Sequence, residues 1–255
     1  MNDKQEFRGL VALVTGASAG IGAATALAFG ARGAHVVVHW NHNRADAERV
    51  GAEIRSAGGE ASLLQADLST EEGIRGLASQ LKDSATPPDI LVNNAGSLIK
   101  RTPVLDFTYE LWDQVFTLNL TSALFLSQAV LPAMISKGRG WIVNVSSVAA
   151  RNGGGIGALA YASAKGALST MTKGLAKEFA PKGIRVNAVS PGTIETNYHR
   201  VFSTPQVLES VAAATPVGRV GRPEEVAGTI VFLCSEEASF IHGQVIEING
   251  GFLMA

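Results

Sequence analysis

Short apolar runs rich in valine and isoleucine alternate along this chain with longer segments in which apolar residues recur at helical spacing. The runs Leu10–Thr15, His35–His39, Ala61–Ala66, Ile90–Asn93, Trp141–Ser146, Ile184–Val189 and Val245–Ile248 read as strands. Most are apolar nearly throughout, as strands covered on both faces should be. The segments Gly20–Arg32, Ala45–Ala57, Thr70–Lys82, Tyr109–Lys137, Ala160–Ala180 and Pro223–Cys234 read as helices. Strand–helix alternation of this kind builds right-handed βαβ crossovers. With no linker, repeat or low-complexity tract, the pattern predicts one α/β domain over residues 1–255. Its sheet should be parallel, seven-stranded and doubly wound, with helices on both faces.

Composition agrees and narrows the function. A hydrophobic fraction of 46% against 17% charged excludes disorder, and 28 glycines suit a chain with tight turns and close ligand approach. A formal net charge of −1 offers no electrostatic case for nucleic acid or an anionic membrane surface. The start, Met1-Asn2-Asp3-Lys4-Gln5-Glu6, lacks the apolar core of a signal peptide, and no unbroken run of about 18 apolar residues exists. A soluble, cytoplasmic protein is expected. Cys234, the only cysteine, sits among apolar neighbours and reads as a small buried hydrophobe. The histidines His35, His39, His42, His199 and His242 form no metal-binding motif, so no metal is expected, and His35 and His39 read as packing residues.

Two places carry chemistry. The first strand runs through Thr15-Gly16-Ala17-Ser18-Ala19-Gly20-Ile21-Gly22 into a helix. Glycines here permit a tight turn, close approach to a diphosphate and close helix–sheet packing, while the helix N-terminus presents free N–H groups to phosphate. Further on, Tyr161 and Lys165 stand four apart on one helix face. A nearby ammonium should pull a phenol from its usual pKa of about 10 toward working pH. Ser147 follows the fifth strand and emerges at the carboxyl edge of the sheet, where open α/β folds bind ligands. Asn119 sits among apolar neighbours in a long helix, where a buried amide satisfied by backbone is the simplest reading.

The spacing T-G-x-x-x-G-I-G at Thr15–Gly22, with Y-x-x-x-K at Tyr161–Lys165, resembles the short-chain dehydrogenases/reductases over nearly the whole chain. The resemblance implies a Rossmann fold and an NAD(P)-dependent oxidoreductase acting on a small-molecule carbonyl or alcohol. It implies that Gly16, Ser18, Ala19, Gly20, Ile21 and Gly22 cradle the cofactor and that Asp67 lies at the adenine. Asn94, Ala95 and Gly96 would line the cleft, and Pro191, Gly192, Ile194 and Thr196 would hold the nicotinamide carboxamide. Tyr161 becomes the acid/base, Ser147 the hydrogen-bond donor to the substrate oxygen, and Lys165 the ribose ligand. Asn119 would hold a water linking Lys165 to solvent. Homotetramers are usual in this family, paired through the helices holding Asn119 and Tyr161 and through the last strand.

At the end of the second strand, Trp40 stands where a carboxylate would bind the ribose of NAD, followed by Asn41 and then by Arg44, within reach of a phosphate. That favours NADP(H), with NAD(H) as the alternative, although Ala19 replaces the basic residue many NADP-preferring relatives carry. The segment Arg151-Asn152-Gly153-Gly154-Gly155-Ile156-Gly157-Ala158 is one residue longer than is usual, and its glycine run with Thr196-x-x-His199 resembles a subgroup that reduces keto-uronates. A sugar-type or other small polar carbonyl is the favoured substrate, with Ser147, Asn152, Tyr161 and His199 as its contacts and Lys100 and Arg101 able to face a carboxylate. The irregular stretch from about 194 to 216 should form a lid. The pattern is also similar to 3-oxoacyl-acyl carrier protein reductases, whose carrier docks on basic residues; Lys137, Arg139 and Lys182 are the candidates here. A non-catalytic NADP-binding redox sensor is the alternative of another class.

Overall fold

Seven strands form where the apolar runs predict them: β1 (Val11–Val14), β2 (His35–Trp40), β3 (Glu60–Gln65), β4 (Ile90–Asn93), β5 (Gly140–Val145), β6 (Ile184–Pro191) and β7 (Val245–Ile248). The structure is a computed structural model and describes residues 5–196, 202 and 204–254. All neighbouring strands pair in parallel, in the order β3-β2-β1-β4-β5-β6-β7. The direction of winding reverses between β1 and β4, and that switch point opens a crevice at the carboxyl ends of the strands.

Side-chain alternation divides the core into two layers. Ala12 and Val14 of β1 join Val36, Val38, Ile90, Val92 and Val143 on one face, where Phe29, Val50, Ile54, Val226 and Ile230 cover them. These come from α1 (Gly20–Gly30), α2 (Arg44–Ser56) and a helix at Pro223–Cys234. Leu13 points the other way, with Leu91, Ile142 and Val186, beneath Ile74, Leu77, Leu81, Leu126, Val130 and Met134. That second layer lies under α3 (Glu71–Lys82) and α5 (Ser122–Lys137). The strand β3 departs from the expected pattern: it is mostly exposed, because it is the edge of the sheet.

Helix starts are set by local chemistry. Asn43 and Thr70 accept hydrogen bonds from the amides three residues on, which satisfies groups a helix start leaves unpaired. The long segment at 109–137 is continuous but not uniform. It comprises α4 (Tyr109–Phe116), a π turn at Thr117–Thr121 and α5. By length and composition it is apolar enough to cross a membrane, despite its lack of an unbroken apolar run; half of its apolar stretch is buried within the fold. Two helices were not expected: α6 (Ala149–Asn152), and α8 (Pro205–Ala214) within the stretch read as irregular. Thr204 caps α8 by accepting from the Val207 amide at 3.3 Å, and Pro205 begins it, which is a favourable start. Among the described residues, α7 (Leu159–Phe179) and α9 (Pro223–Cys234) are the other named α-helices.

At the amino-terminal edge of the sheet, buried Asp89 accepts from the Val11 amide at 2.9 Å and from Lys137 Nζ at 2.8 Å. Arg139 and Lys182 lie just before β5 and β6, at the same edge. The three basic residues expected near a carrier-docking cleft therefore stand at the end of the sheet opposite the crevice. Cys234 is buried, and burial pushes its thiol far above the usual range.

Candidate active site

Between β1 and α1 the chain turns at Gly16 and Gly20, both with positive φ (63° and 55°). Gly22 is glycine for lack of room: a Cβ there would lie 2.3 Å from the Gly16 carbonyl oxygen and 2.5 Å from Asn94 Nδ2. Ala19 occupies the N-cap of α1 and has no side-chain acceptor, so the first amides of the helix stay open to an anion. Thr15 ties the turn to β4, its hydroxyl accepting from the Asn94 and Ala95 amides at 2.9 Å each. Asn94 Nδ2 donates back to the Thr15 carbonyl at 2.8 Å. On the far side, Gly192 donates to the Ile248 carbonyl, and Ile194 bridges to Gly221. Thr196 closes over the turn, its Cγ2 3.0 Å from where a Gly20 Cβ would stand.

The catalytic candidates converge deeper in the same crevice. Ser147 follows β5, and its hydroxyl accepts from the Ala149 amide at 3.1 Å and is hydrogen-bonded with Tyr161. The Tyr161–Lys165 spacing brings Lys165 Nζ to 5.6 Å from the phenol ring centre. Nζ donates to the Val145 carbonyl at 2.7 Å. Asn119 falls in the π turn, an irregularity that recurs at functional sites. Its Oδ1 accepts from the Ser97 amide at 3.1 Å, and its Nδ2 donates to the carbonyls of Ser97 and Val115 at 2.8 Å each. Gly96 fits between the two, since a Cβ there would meet Asn119 Oδ1 at 2.7 Å and Lys165 Nζ at 3.0 Å.

Residues 16–253 match the family described as enoyl-(acyl carrier protein) reductase. A 3-oxoacyl-[acyl-carrier-protein] reductase of Synechocystis is 41% identical over 245 residues, spanning 96% of this chain and 97% of that protein. The chain belongs to the short-chain dehydrogenase/reductase family. A solved 3-oxoacyl-[acyl-carrier protein] reductase from Brucella melitensis with bound NAD superposes with a TM-score of 0.90 at 36% identity, over 100% of this chain and 95% of that one. A gluconate 5-dehydrogenase from Burkholderia cenocepacia, in complex with NADP and tartrate, gives 0.88 at 30% identity over 98% of each chain. This short-chain dehydrogenase/reductase is thus an NAD(P)-dependent oxidoreductase that moves hydride between a nicotinamide and a carbonyl or alcohol.

The cleft of this enzyme has a volume of about 610 Å³. Gly16, Ala19, Gly20, Ile21, Asn94, Ala95, Gly96, Pro191, Gly192, Ile194 and Thr196 line it, together with Ser147, Asn152, Tyr161 and Lys165. Ser18 and Gly22 belong to the turn without lining the cleft, and Asn119 stands behind Gly96. Trp40 packs against the core, Asn41 bonds His42, and Arg44 starts α2 with its Nε 2.7 Å from Glu48. Burial alone would raise the Asp67 carboxyl, but the Ser69 hydroxyl and amide outweigh it and hold it below its ordinary value. His199 lies outside the described residues.

One electrostatic expectation is corrected. Tyr161 is raised above its ordinary pKa rather than lowered, because burial outweighs its hydrogen bond with Ser147. Lys165, 2% exposed, is itself pushed down to about 7 by burial and spends its ammonium on the Val145 carbonyl. A raised phenol is a proton donor at neutral pH.

Three features beside the cleft were not foreseen: a left-handed turn, the anchoring of Arg101 (a residue already named from the sequence), and a helix. Ile99 has φ +60°, rare for a β-branched residue, in a tight turn where the Lys100 amide donates to the Leu98 carbonyl at 2.7 Å. Arg101, which follows, is pinned by donating from Nε to the Phe202 carbonyl at 3.1 Å and from Nη1 to the Ile156 carbonyl at 3.0 Å. The third is α8, whose Val207, Leu208 and Val211 face the cleft.

Proposed function

We propose that this enzyme is an NADP(H)-preferring reductase of small polar carbonyls bearing an anionic group, of the sugar-acid or keto-uronate kind. The charge of the cleft carries this reading: among its described lining residues the only charged side chains are Lys165, at the catalytic end, and Arg101, pinned between the two walls of the mouth. A guanidinium held there suits a carboxylate. The gluconate 5-dehydrogenase relative acts on a sugar acid by its name, which supports the same class. Two of the relatives above are named as 3-oxoacyl reductases, and that remains the second reading. Against it, Lys137, Arg139 and Lys182 lie at the wrong edge of the sheet, and Lys137 is committed to Asp89.

The turn from Gly16 to Gly22 would hold the cofactor diphosphate, Asp67 would stand at the adenine, and Ile194 and Thr196 would hold the carboxamide. The lack of a carboxylate at Trp40, with Arg44 close by in sequence, supports NADP(H) over NAD(H). When bound, the nicotinamide supplies the hydride. Tyr161 donates its phenolic proton to the oxygen of the reduced carbonyl, and Ser147 donates a hydrogen bond to that oxygen as negative charge develops. Lys165 binds the nicotinamide ribose, returns a proton toward Tyr161 and is itself resupplied along the Asn119 side. Residues from 194 to 216, including α8, act as the substrate lid of a single domain.

The same reading makes the enzyme a cytoplasmic homotetramer. The outer side of α5 leaves Leu124, Phe125 and Ile135 exposed, and Phe252 and Met254 are exposed near the carboxyl end. A monomer by light scattering at working concentration would exclude that assembly.

The deciding experiment is an NADPH and NADH oxidation screen against keto-uronates, keto-sugar acids, neutral sugars and 3-oxoacyl thioesters. An anionic sugar-type ketone should reach a kcat/KM of at least about 10⁴ M⁻¹s⁻¹ with NADPH. A 3-oxoacyl thioester as the one strong substrate would overturn the substrate class, and matched kinetics favouring NADH would overturn the cofactor preference.

A further inference from the structure

The glycine turn is braced by a side chain that plays no part in the chemistry above. His39, in β2, is 2% exposed. Its Nδ1 accepts from the Gly16 amide at 3.0 Å, and its Nε2 donates to the Ala66 carbonyl at 3.2 Å. A backbone amide only donates and a carbonyl only accepts, so these partners fix the ring as the neutral Nε2–H tautomer. Burial works in the same direction, pushing the imidazole down to about 4. The backbone carbonyl of His39 also accepts from the Ala17 amide at 2.8 Å. Two consecutive amides of the turn are therefore anchored on one residue. Ala66, at the other end of the ring, immediately precedes Asp67.

We infer that His39 is a positioning residue for nucleotide binding: its imidazole locks the Gly16 end of the turn to the strand end that carries Asp67, so that the diphosphate and adenine ends of the site are held at a fixed separation. This rests on the reading that the turn holds the cofactor diphosphate. An apolar side chain at 39 would leave the Gly16 amide and the Ala66 carbonyl without this partner. The two ring nitrogens can be separated by substitution. The amide of asparagine falls near Nδ1 and still offers Gly16 an acceptor, whereas the amide of glutamine falls near Nε2 and serves Ala66 alone.

The test is the Kd for NADPH, by fluorescence of the full-length protein, for His39→Asn and His39→Gln, with thermal melting as the check on folding. His39→Asn should bind within about twofold of wild type. His39→Gln should bind about tenfold more weakly, the effect of losing roughly one hydrogen bond. The loss should appear in the cofactor KM and not in kcat at saturating cofactor. Amide exchange at Gly16 in the cofactor-free protein should be faster in His39→Gln than in His39→Asn. Wild-type affinity in His39→Gln, or equal losses in both variants, would overturn the inference. Ala19→Glu separates it from the reading beneath: a carboxylate at the helix start should weaken NADPH binding if the turn holds phosphate. If Ala19→Glu weakens binding and His39→Gln does not, the turn stands and the role of His39 falls. If neither weakens binding, both fall.

Discussion

Gly96→Ala adds one methyl group between Asn119 and Lys165, the residues proposed to handle the proton. The new Cβ would stand 2.7 Å from Asn119 Oδ1 and 3.0 Å from Lys165 Nζ, where ordinary contact begins near 3.4 Å. One of the two must move by several tenths of an ångström. Asn119 is held by three backbone hydrogen bonds, to both sides of Ser97 and to Val115, and Lys165 by one, to Val145. The lysine is the easier group to displace. Overpacking of this kind costs about 1–3 kcal/mol in stability, and a shift approaching 1 Å at a catalytic group lowers rate by up to about 10²-fold. The expected result is a kcat 10- to 100-fold lower by these estimates, with a folded protein by circular dichroism. Gly174→Ala is the control, on the same helix as Lys165 but with nothing within 4 Å of its new Cβ. It should keep full kcat and gain up to about 1 kcal/mol from helix propensity. Wild-type kcat in Gly96→Ala would refute the assignment of Lys165 and Asn119 to a shared proton route.

Two further outcomes are expected. Lys165→Met should lose turnover yet melt higher than wild type at pH 6. Burial holds the folded-state lysine at about 7, so below that pH the native enzyme carries a buried cation. Between pH 7 and the unfolded value near 10.5 the unfolded chain binds more protons, wild-type stability rises, and the advantage of methionine should shrink. An equal or lower melting temperature at pH 6 would count against the burial argument. Lys137→Met removes the cationic partner of buried Asp89 and should cost about 2 kcal/mol in denaturant unfolding, the scale of one hydrogen bond to a charged group, with substrate KM unchanged. A raised KM for acyl-carrier substrates would instead bring the docking surface back to that edge.

Elements whose formation depends on local pattern were legible from sequence. Strands buried on both faces announce themselves as apolar runs, and the β4 and β7 boundaries agree with the expectation residue for residue. Tyr161 and Lys165 are legible because four residues make one helical turn. What the sequence hid depends on partners far away in the chain. The role of His39 arises from contacts spanning 23 and 27 residues, so in isolation it reads as a packing histidine. Lys137 reads as a surface cation until Asp89, 48 residues earlier, is placed beside it. The expected fall in the Tyr161 pKa failed because helical spacing brings Lys165 near without showing that the phenol itself is buried, and burial is what raises it. The helix α8 was missed although Thr204-Pro205 is a serviceable start, because the surrounding stretch lacks a strong apolar period.

The most direct test of hydride transfer assisted by a tyrosine acid is Tyr161→Phe, measured with NADPH and the best ketone from the screen. Turnover should fall by at least about 10²-fold, the contribution of a general acid, while the Kd for NADPH stays within about twofold of wild type. An undiminished rate would contradict the assignment of Tyr161 as the proton donor, and with it the mechanism proposed for this site.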